Sequence, residues 1–254
     1  ALAAGAVGAV VSEVRPEYEG LTAPLFVVAD TLKAYQDLAR FHRRRFAIPV
    51  VAVNGSVGKT STRNMIATVL SEKYKVLQTE KNFNNEIGLP KTLLQLTPEH
   101  EACVVEMGMR GLGQIAELAA IGEPTIGVVT NVGKSHIELL GSQENIAKAK
   151  AELVQALDEK GKAVLNGDDP FVRQMTALCR GKSVLYGTGD DDAVRADHIA
   201  CDEQGVRFHC SGAGQAFEVA VPVIGGHNVY NALAAITVGQ LTGLSTAEIQ
   251  RGLA

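Results

Sequence analysis

The sequence predicts an α/β protein in which a mostly parallel sheet is flanked by helices. Apolar runs rich in Val and Ile alternate with stretches of helical periodicity, and these runs are continuous rather than alternating with polar residues. Continuous apolar runs are typical of strands that are covered on both faces, as in a parallel sheet. The predicted strands cover 48–53, 76–78, 102–105, 126–129 and 163–165, and a helix begins near Thr60.

A small region precedes this unit, and a different pattern follows it. Two short strands (9–12 and 24–28) and a helix over about 31–45 are too little to form a domain alone. Beyond Lys182, short apolar runs are separated by Gly- and Asp-rich turns, which predicts an antiparallel extension of the sheet. The runs of this extension are 184–186, 206–210 and 217–223, and a last helix covers about 228–241.

Composition excludes several classes of protein. The 254 residues are 46% hydrophobic and 20% charged, which is typical of one large or two unequal globular domains. No run approaches the roughly 20 apolar residues of a membrane span, and the Ala-rich start lacks the features of a secretory signal, so we expect a cytoplasmic protein. The four scattered cysteines indicate neither a zinc site nor disulfides, and the net charge of -4 argues against nucleic-acid binding. We expect a monomer.

The strongest chemical signal is a glycine-rich loop between a buried strand and a helix. A bound phosphate needs converging N–H donors, a helix N-terminus, a lysine and a hydroxyl for Mg²⁺, and this loop offers all four. The usual G-x-x-x-x-G-K-[ST] pattern would place Gly where Val53 stands, so only the shorter G-x-x-G-K-T remains. A glycine turn followed by a chance Lys-Thr is the alternative, which the position between strand and helix disfavours. The loop residues are Asn54, Gly55, Ser56, Val57, Gly58, Lys59, Thr60 and Ser61.

Further candidate residues follow the other predicted strands. Because the carboxyl ends of parallel strands form one crevice, Glu106 and His136 are expected to face the same phosphates as the loop. The oxygen ligands that Mg²⁺ prefers suit Glu106 better than His136. Glu106 capping a helix or pairing with a lysine, and a solvated His136, are the alternatives. Asp168 and Asp169 also end a strand, but Asp-Asp-Pro favours the start of a helix.

A lysine lies on the buried side of the helix that follows His136. Ser142 is a plausible N-cap, and Lys150 falls on the apolar stripe formed by Ile146, Leu153, Val154 and Leu157. Lys148 points to the other side, into solvent. A buried ammonium is costly, so Lys150 is expected to be deprotonated, paired or chemically modified. The alternative is a side chain that extends to the surface.

The last helix opens with Gly226-His227-Asn228-Val229-Tyr230-Asn231 and a run of small residues. Amides at i and i+3 can read an adenine edge, whereas Asn228 acting as a plain N-cap is the alternative.

These motifs together resemble those of the Mur ligases, the ATP-dependent amide-forming enzymes of peptidoglycan synthesis. Their order spans the chain from Val51 to Ala235, and the stretch from Thr79 to Pro90 looks like the branch that adds D-alanyl-D-alanine. The matching segments are G-S-V-G-K-T-S, V-V-E-M-G, N-V-G-K-S-H-I-E, A-K-A-K-A-E-L, L-N-G-D-D and G-G-H-N-V-Y-N-A-L-A-A.

The resemblance implies a role for each motif. Residues 55–61 would hold the ATP phosphates, with Lys59, His136 and Lys150 as catalytic residues. Thr60 and Glu106 would bind one Mg²⁺, and His136 with a carbamylated Lys150 would attend a second. Asn231, His227 and Asn228 would contact the adenine. Asn84 and Asn85 would lie towards the nucleotide-sugar peptide.

The resemblance also implies a domain organisation and a reaction. Residues 1–46 would be the C-terminal part of an N-terminal UDP-substrate-binding domain, residues 47–254 the central ATP-binding domain, and the C-terminal amine-binding domain would be absent. We therefore expect a part of a longer polypeptide that folds but does not make product alone. The expected reaction joins D-alanyl-D-alanine to UDP-N-acetylmuramoyl-tripeptide through an acyl phosphate. Another Mur-type ligase, of the stem-peptide or folylpolyglutamate type, and a P-loop hydrolase or nucleotide-binding module are the alternatives.

Overall fold

The chain begins with a small unit of two parallel strands and one helix. In the computed structural model, which describes residues 2–135, 137–212 and 214–254, β1 (Ala9–Val11) pairs with β2 (Leu25–Val27). Helix α1 (Thr31–Arg43) follows, and the side chain of Asp30 caps its first turn. These elements confirm the predicted strands and helix, each one or two residues shorter than expected.

Strands and helices then alternate through residue 187. Strand β3 leads through the glycine-rich loop into α2, as predicted. The elements are β3 (Val50–Asn54), α2 (Lys59–Ser71), β4 (Val76–Gln78), α3 (Gly88–Leu93), β5 (Ala102–Glu106), α4 (Gln114–Gly122), β6 (Ile126–Val129), α5 (Ile137–Leu140), α6 (Gln143–Ala156), β7 (Lys162–Asn166), α7 (Pro170–Gln174) and β8 (Lys182–Gly187).

Three longer strands and two helices complete the chain. These are β9 (Val194–Asp202), β10 (Gly205–Gly212), β11 (Gln215–Val221), α8 (His227–Leu241) and α9 (Thr246–Leu253). The strands of the main sheet lie in the order β11-β10-β9-β8-β7-β6-β3-β5-β4. All pairs from β4 to β9 are parallel, and β9, β10 and β11 are antiparallel, which confirms the predicted fold class.

Two details of the predicted extension are wrong. The strand expected over 184–186 belongs to the parallel part, because β8 pairs in parallel with both β7 and β9. Strand β9 was not predicted at all. Only its first half alternates buried with half-buried residues, and its second half is exposed, so the sequence shows little apolar pattern there.

Both faces of the parallel sheet are covered, as the continuous apolar runs predict. Along β3, Val51 and Val53 pack with residues of α2 and α8, whereas Val50 and Ala52 pack on the other face with residues of α4 and α6. This arrangement leaves the carboxyl ends of β3, β5 and β6 at one edge of the sheet, where the loops that follow them meet.

Helix α1 is joined to the sheet unit by a buried guanidinium. Arg43 donates to the carbonyls of Gly122 and Glu123 at the end of α4. Among the residues that the structure describes, none of the helices combines the length and the apolar character that crossing a bilayer requires.

Candidate functional site

The glycine-rich loop is held in place by the chain that follows β6. The N–H of Ser56 donates to the carbonyl of Asn131 (3.0 Å), and the N–H of Val57 donates to the Asn131 side chain (3.0 Å). The hydroxyl of Thr130 donates to the Val57 carbonyl (2.9 Å), and the N–H of Gly55 donates to the Asn54 side chain (2.6 Å). The N–H groups of residues 55–57 are therefore used in hydrogen bonds that hold the loop in place.

The donors that remain for an anion lie in the second half of the predicted loop. Within the described part of the chain, the N–H groups of Gly58, Lys59, Thr60 and Ser61 donate to no protein acceptor. Gly58 has φ +79° and precedes the first turn of α2. Four free N–H groups at a helix N-terminus favour an anion through both hydrogen bonds and the helix dipole. This narrows the predicted set of amide donors from residues 55–61 to residues 58–61.

Gly55 lies so close to Thr130, in the chain that follows β6, that a side chain cannot fit. Its φ is +156°, and a Cβ there would lie 1.9 Å from Oγ1 of Thr130. We expect Gly55→Ala to lower the free energy of unfolding by about 3 kcal/mol, because the added Cβ must displace either the loop or Thr130. Urea unfolding measures this loss. Gly111→Ala is the control, since a Cβ at Gly111 meets nothing within 4 Å. Equal stability of the two variants would contradict the close approach.

A cavity of about 500 Å³ opens beside the loop and brings together six of the predicted residues. It is lined by the loop on one side and by the chain between β4 and α3 on the other. Its lining includes Gly55, Ser56, Lys59, Asn84, Asn85, Gly108, Arg110, Gln114 and Lys150.

Two lysines line this cavity. The ammonium of Lys59 folds back over the loop and donates to the carbonyls of Gly55 (2.9 Å) and Ser56 (3.3 Å). Burial lowers the pKa of Lys59, although the nearby charge of Glu106 opposes this shift. Lys150 is 2% exposed, and burial, reinforced by the charge of Lys59, lowers its pKa to about 7. Lys150 therefore loses its proton near neutral pH.

The helical position of Lys150 is as predicted. Ile146, Leu153 and Val154 of α6 are fully buried, Lys150 lies with them, and Lys148 is exposed. The alternative of a side chain reaching the outer surface is wrong, since Lys150 ends at the cavity instead.

The lowered pKa of Lys150 predicts a pH-dependent stability. The unfolded lysine holds its proton up to about pH 10.5, so between pH 7 and 10.5 the unfolded state binds more protons and stability rises with pH by about 1.4 kcal/mol per unit. We expect Lys150→Met to stabilise the protein by a few kcal/mol at pH 6 and by much less at pH 10. Thermal or urea unfolding in CO₂-free buffer measures this. Lys148→Met is the control, and a Lys150→Met gain that is equal at both pH values would contradict the shift.

Glu106 is the centre of a buried polar cluster at the end of β5. Its carboxylate accepts from the hydroxyl of Thr60 (2.9 Å), from Nδ2 of Asn84 (2.8 Å) and from the guanidinium of Arg63 (3.4 Å). Neither alternative for Glu106 holds, because within the described residues its carboxylate caps no helix and its ion-pair partner is Arg63 rather than a lysine. Arg63 was missed in the sequence, although it lies three residues after Thr60, a spacing that puts both on one helix face.

The two asparagines before α3 have different roles. Asn84 holds Glu106, and its side chain lies against Gly108, where a Cβ would come within 3.0 Å. Asn85 is exposed and accepts from the N–H groups of Ile87 (3.2 Å) and Gly88 (2.8 Å), so it helps to start α3. Both line the cavity, as a substrate-facing position requires.

The amides of α8 form a buried network. The hydroxyl of Thr62 donates to Oδ1 of Asn231 (2.8 Å), and Nδ2 of Asn231 donates to Oδ1 of Asn228 (2.9 Å). The N-cap residue of α8 is Gly226, and Asn228 donates to the carbonyl of Ile224, so the N-cap reading of Asn228 is wrong. The two amides link α2 to α8, whereas His227 is exposed.

The two aspartates that follow β7 have different partners. Asp169 accepts from the N–H groups of Phe171 and Val172 and starts α7, as predicted. Asp168 instead accepts from Thr188 and from the hydroxyl of Tyr230. His136 lies outside the described residues.

Known proteins resemble this chain along its whole length. Residues 53–239 match the sequence profile of the Mur ligase middle domain. A UDP-N-acetylmuramoyl-tripeptide--D-alanyl-D-alanine ligase from Synechocystis is 44% identical over all 254 residues, which are 54% of that protein.

Solved structures share the fold. MurF from Acinetobacter baumannii superimposes with a TM-score of 0.92 at 30% identity, covering 99% of this chain and 55% of the other. MurF ligase from Thermotoga maritima in complex with ADP superimposes with a TM-score of 0.87 at 26% identity, covering 98% of this chain and 58% of the other. The chain thus spans about half the length of the relatives that it matches.

Proposed function

We propose, from the premise that this chain belongs to the Mur ligase family, that it provides the nucleotide site of an ATP-dependent, ADP-forming ligase of peptidoglycan precursor synthesis. The substrates proposed are UDP-N-acetylmuramoyl-tripeptide and D-alanyl-D-alanine, as named for the Synechocystis relative. The observation that carries the proposal is a single cavity between the N-terminus of α2 and the carboxyl end of β5, lined by Lys59 and Lys150.

The ATP phosphates are proposed to lie at the N-terminus of α2. The free N–H groups of residues 58–61 supply donors, and Lys59 supplies the cation for the β- and γ-phosphate oxygens. Lys59 now donates to two loop carbonyls, so it must turn from them towards the phosphates. The Thermotoga maritima relative was solved in complex with ADP, which supports nucleotide binding by this chain.

The adenine is proposed to lie near the start of α8. His227 is exposed there, whereas Asn228 and Asn231 are engaged with each other and with Thr62. A direct adenine contact by Asn231 requires this network to open. His227 is therefore the residue we favour for a contact in the observed arrangement.

The site fits a Mg²⁺ ion. The hydroxyl of Thr60 and the carboxylate of Glu106 lie 2.9 Å apart beside the phosphate donors, and both are hard oxygen ligands. When bound, Mg²⁺ would offset the negative charge of the transferred phosphoryl group. Asn84 and Arg63 orient the Glu106 carboxylate by their hydrogen bonds.

Lys150, with His136, is proposed to serve a second Mg²⁺ after carbamylation. The ammonium first loses one proton, and the neutral amine then attacks CO₂. A bond forms between Nζ and carbon, one C=O bond becomes a C–O single bond, and a second proton leaves, so that the neutral amine becomes an anionic oxygen donor. Burial, which lowers the pKa of Lys150 to about 7, supports this because the neutral amine is the reactive form. Thr60, Glu106, His136 and Lys150 are thus the proposed metal residues.

The proposed reaction transfers the γ-phosphoryl group of ATP to the terminal carboxylate of the UDP-linked peptide. ADP leaves, and the D-alanyl-D-alanine amine then attacks the acyl carbon, forming the amide and releasing phosphate and a proton. Lys59 and the amides of residues 58–61 hold the phosphate chain in place for this transfer. Asn84 and Asn85 face the cavity from the side proposed for the peptide substrate.

The domain organisation remains a proposal as well. Residues 1–46 would belong with the UDP-substrate-binding unit and residues 47–254 with the ATP-binding unit. We also propose a monomer in the cytoplasm, and the four free cysteines are compatible with such a reducing compartment.

The test measures ADP formation by the product of the complete open reading frame that encodes these residues. We expect ADP release that needs both UDP-N-acetylmuramoyl-tripeptide and D-alanyl-D-alanine, with one amide formed per ADP. ADP release without either acceptor would support a hydrolase instead. Amide formation with a glutamate or a single stem-peptide amino acid in place of the dipeptide would support another Mur-type ligase.

A further inference from the structure

A second group of chemically active side chains lies on the antiparallel part of the sheet, outside the proposed ligase site. Asp197 and His198 belong to β9, and His209 belongs to β10. One ligand atom from each lies within 4.8 Å of the other two. The strands β8, β7 and β6 separate β9 from β3, so this cluster is remote from the glycine-rich loop.

We propose that Asp197, His198 and His209 form a binding site for a borderline divalent cation of the class of Zn²⁺, Ni²⁺ and Cu²⁺. The proposal does not depend on the ligase function.

The sheet itself brings the three residues together. On β10, Phe208 and Cys210 are buried in the core, so His209 between them faces the opposite, outer side. Asp197 is the direct partner of His209 in the antiparallel register and shares that side.

His198 reaches the same point because the strand is irregular there. Successive residues of a regular strand face opposite sides, so His198 would face away from Asp197. The register between β9 and β10 shifts between Arg207 and His209, and His198 has φ +49°. As a result, the His198 ring turns back to the Asp197 carboxylate.

The contacts already converge as those of a metal site do. Nδ1 of His198 lies 2.7 Å from Oδ1 of Asp197, and Nδ1 of His209 lies 3.0 Å from the same oxygen. The two rings are 6.2 Å apart at 71°. Ligands about 2.0–2.1 Å from a tetrahedral Zn²⁺ lie about 3.3 Å from one another, so the two nitrogen–oxygen distances need to open by about 0.3–0.6 Å.

The donor set selects the class of cation. Two imidazoles and one carboxylate suit Zn²⁺, Ni²⁺ or Cu²⁺, whereas Mg²⁺ and Ca²⁺ prefer oxygen ligands alone. His198 is 87% exposed in its side chain, so it can adjust to the ion and leaves room for water ligands. Glu218 of β11 pairs with His209 in register and places another carboxylate on the same side.

The competing explanation is a metal-free triad in which two neutral imidazoles donate their Nδ1–H groups to Asp197. Metal titration separates the two, because a hydrogen-bonded triad does not require a cation. Isothermal calorimetry of the 254-residue chain with ZnCl₂, in a buffer that does not chelate metals, is the experiment. We expect one Zn²⁺ to bind per chain at this cluster. Any heat of Mg²⁺ binding should be the same whether or not the cluster is intact.

The variants His198→Gln and His209→Gln are each expected to weaken Zn²⁺ binding at least about tenfold. His100→Gln is the matched control for loss of a histidine, and Cys201→Ser controls for zinc capture by an exposed thiol. Neither control should change the affinity. Co²⁺ substitution should give d–d absorption without a thiolate charge-transfer band.

Several outcomes would overturn the proposal. These are the absence of one-to-one Zn²⁺ binding, an affinity that is unchanged in His198→Gln, and loss of binding in Cys201→Ser. Because His198 is exposed, its variant is expected to fold normally, which a thermal melt verifies even if His209→Gln is destabilised.

Discussion

Replacing Lys59 by alanine is expected to weaken ATP binding by about a hundredfold or more. The proposed phosphate position relies on four backbone N–H groups and one cation, and only the cation is lost. Hydrogen bonds to charged groups contribute about 1.5–3 kcal/mol each, and Lys59 is proposed to reach two phosphate oxygens. Calorimetry with Mg²⁺ and a non-hydrolysable ATP analogue measures the loss.

The matched control is Lys148→Ala, which removes the same charge from an exposed position on α6. Its affinity for the analogue should equal that of the parent. Lys59 also donates to the Gly55 and Ser56 carbonyls, so a thermal melt must show that the variant is folded. A folded Lys59→Ala protein that binds the analogue as tightly as the parent would exclude the assigned phosphate position.

Lys59→Ala should also change the pKa of the neighbouring Lys150. The charge of Lys59 contributes to the lowered pKa of Lys150, so its removal should move that pKa upwards. Burial is the larger cause, and the pKa should therefore stay below that of a solvated lysine.

Features set by local sequence were predicted well. The strand, loop and helix from β3 to α2 depend on a continuous apolar run, glycines and a Lys-Thr pair within about twenty residues. The burial of Lys150 follows from the phase of α6, because residues at helical spacing share a face. These patterns can be interpreted without knowing which other strand or helix the segment packs against.

Several features set by distant pairing were not predicted. Strand β8 has an apolar pattern that fits either orientation, and its parallel direction is decided by β7 and β9. The role of Asn231 depends on Thr62, 169 residues earlier in the chain. Likewise, the cluster of Asp197 and His209 forms through the antiparallel register of β9, a strand that lacks a continuous apolar pattern.

Replacing Lys150 by alanine is expected to reduce the proposed ligase activity by at least about a hundredfold, whereas Lys148→Ala should change it little. The Lys150 side chain ends at the cavity beside Lys59, and the Lys148 side chain ends in solvent, so only the first is placed to become an anionic metal ligand. ADP formation by the product of the complete open reading frame, with both acceptor substrates, measures the difference.

Chemical rescue distinguishes a missing carbamate from a missing amine. If Lys150 acts as its carbamate, a short carboxylate such as acetate should restore part of the activity of Lys150→Ala, because it offers the same oxygen ligand in the vacated space. A short primary amine should not. ¹³C-labelled bicarbonate should also give a carbamate resonance in the parent that is absent from Lys150→Ala and retained in Lys148→Ala. Rescue by the amine alone, or equal activity of the two variants, would show that Lys150 does not act as a carbamate.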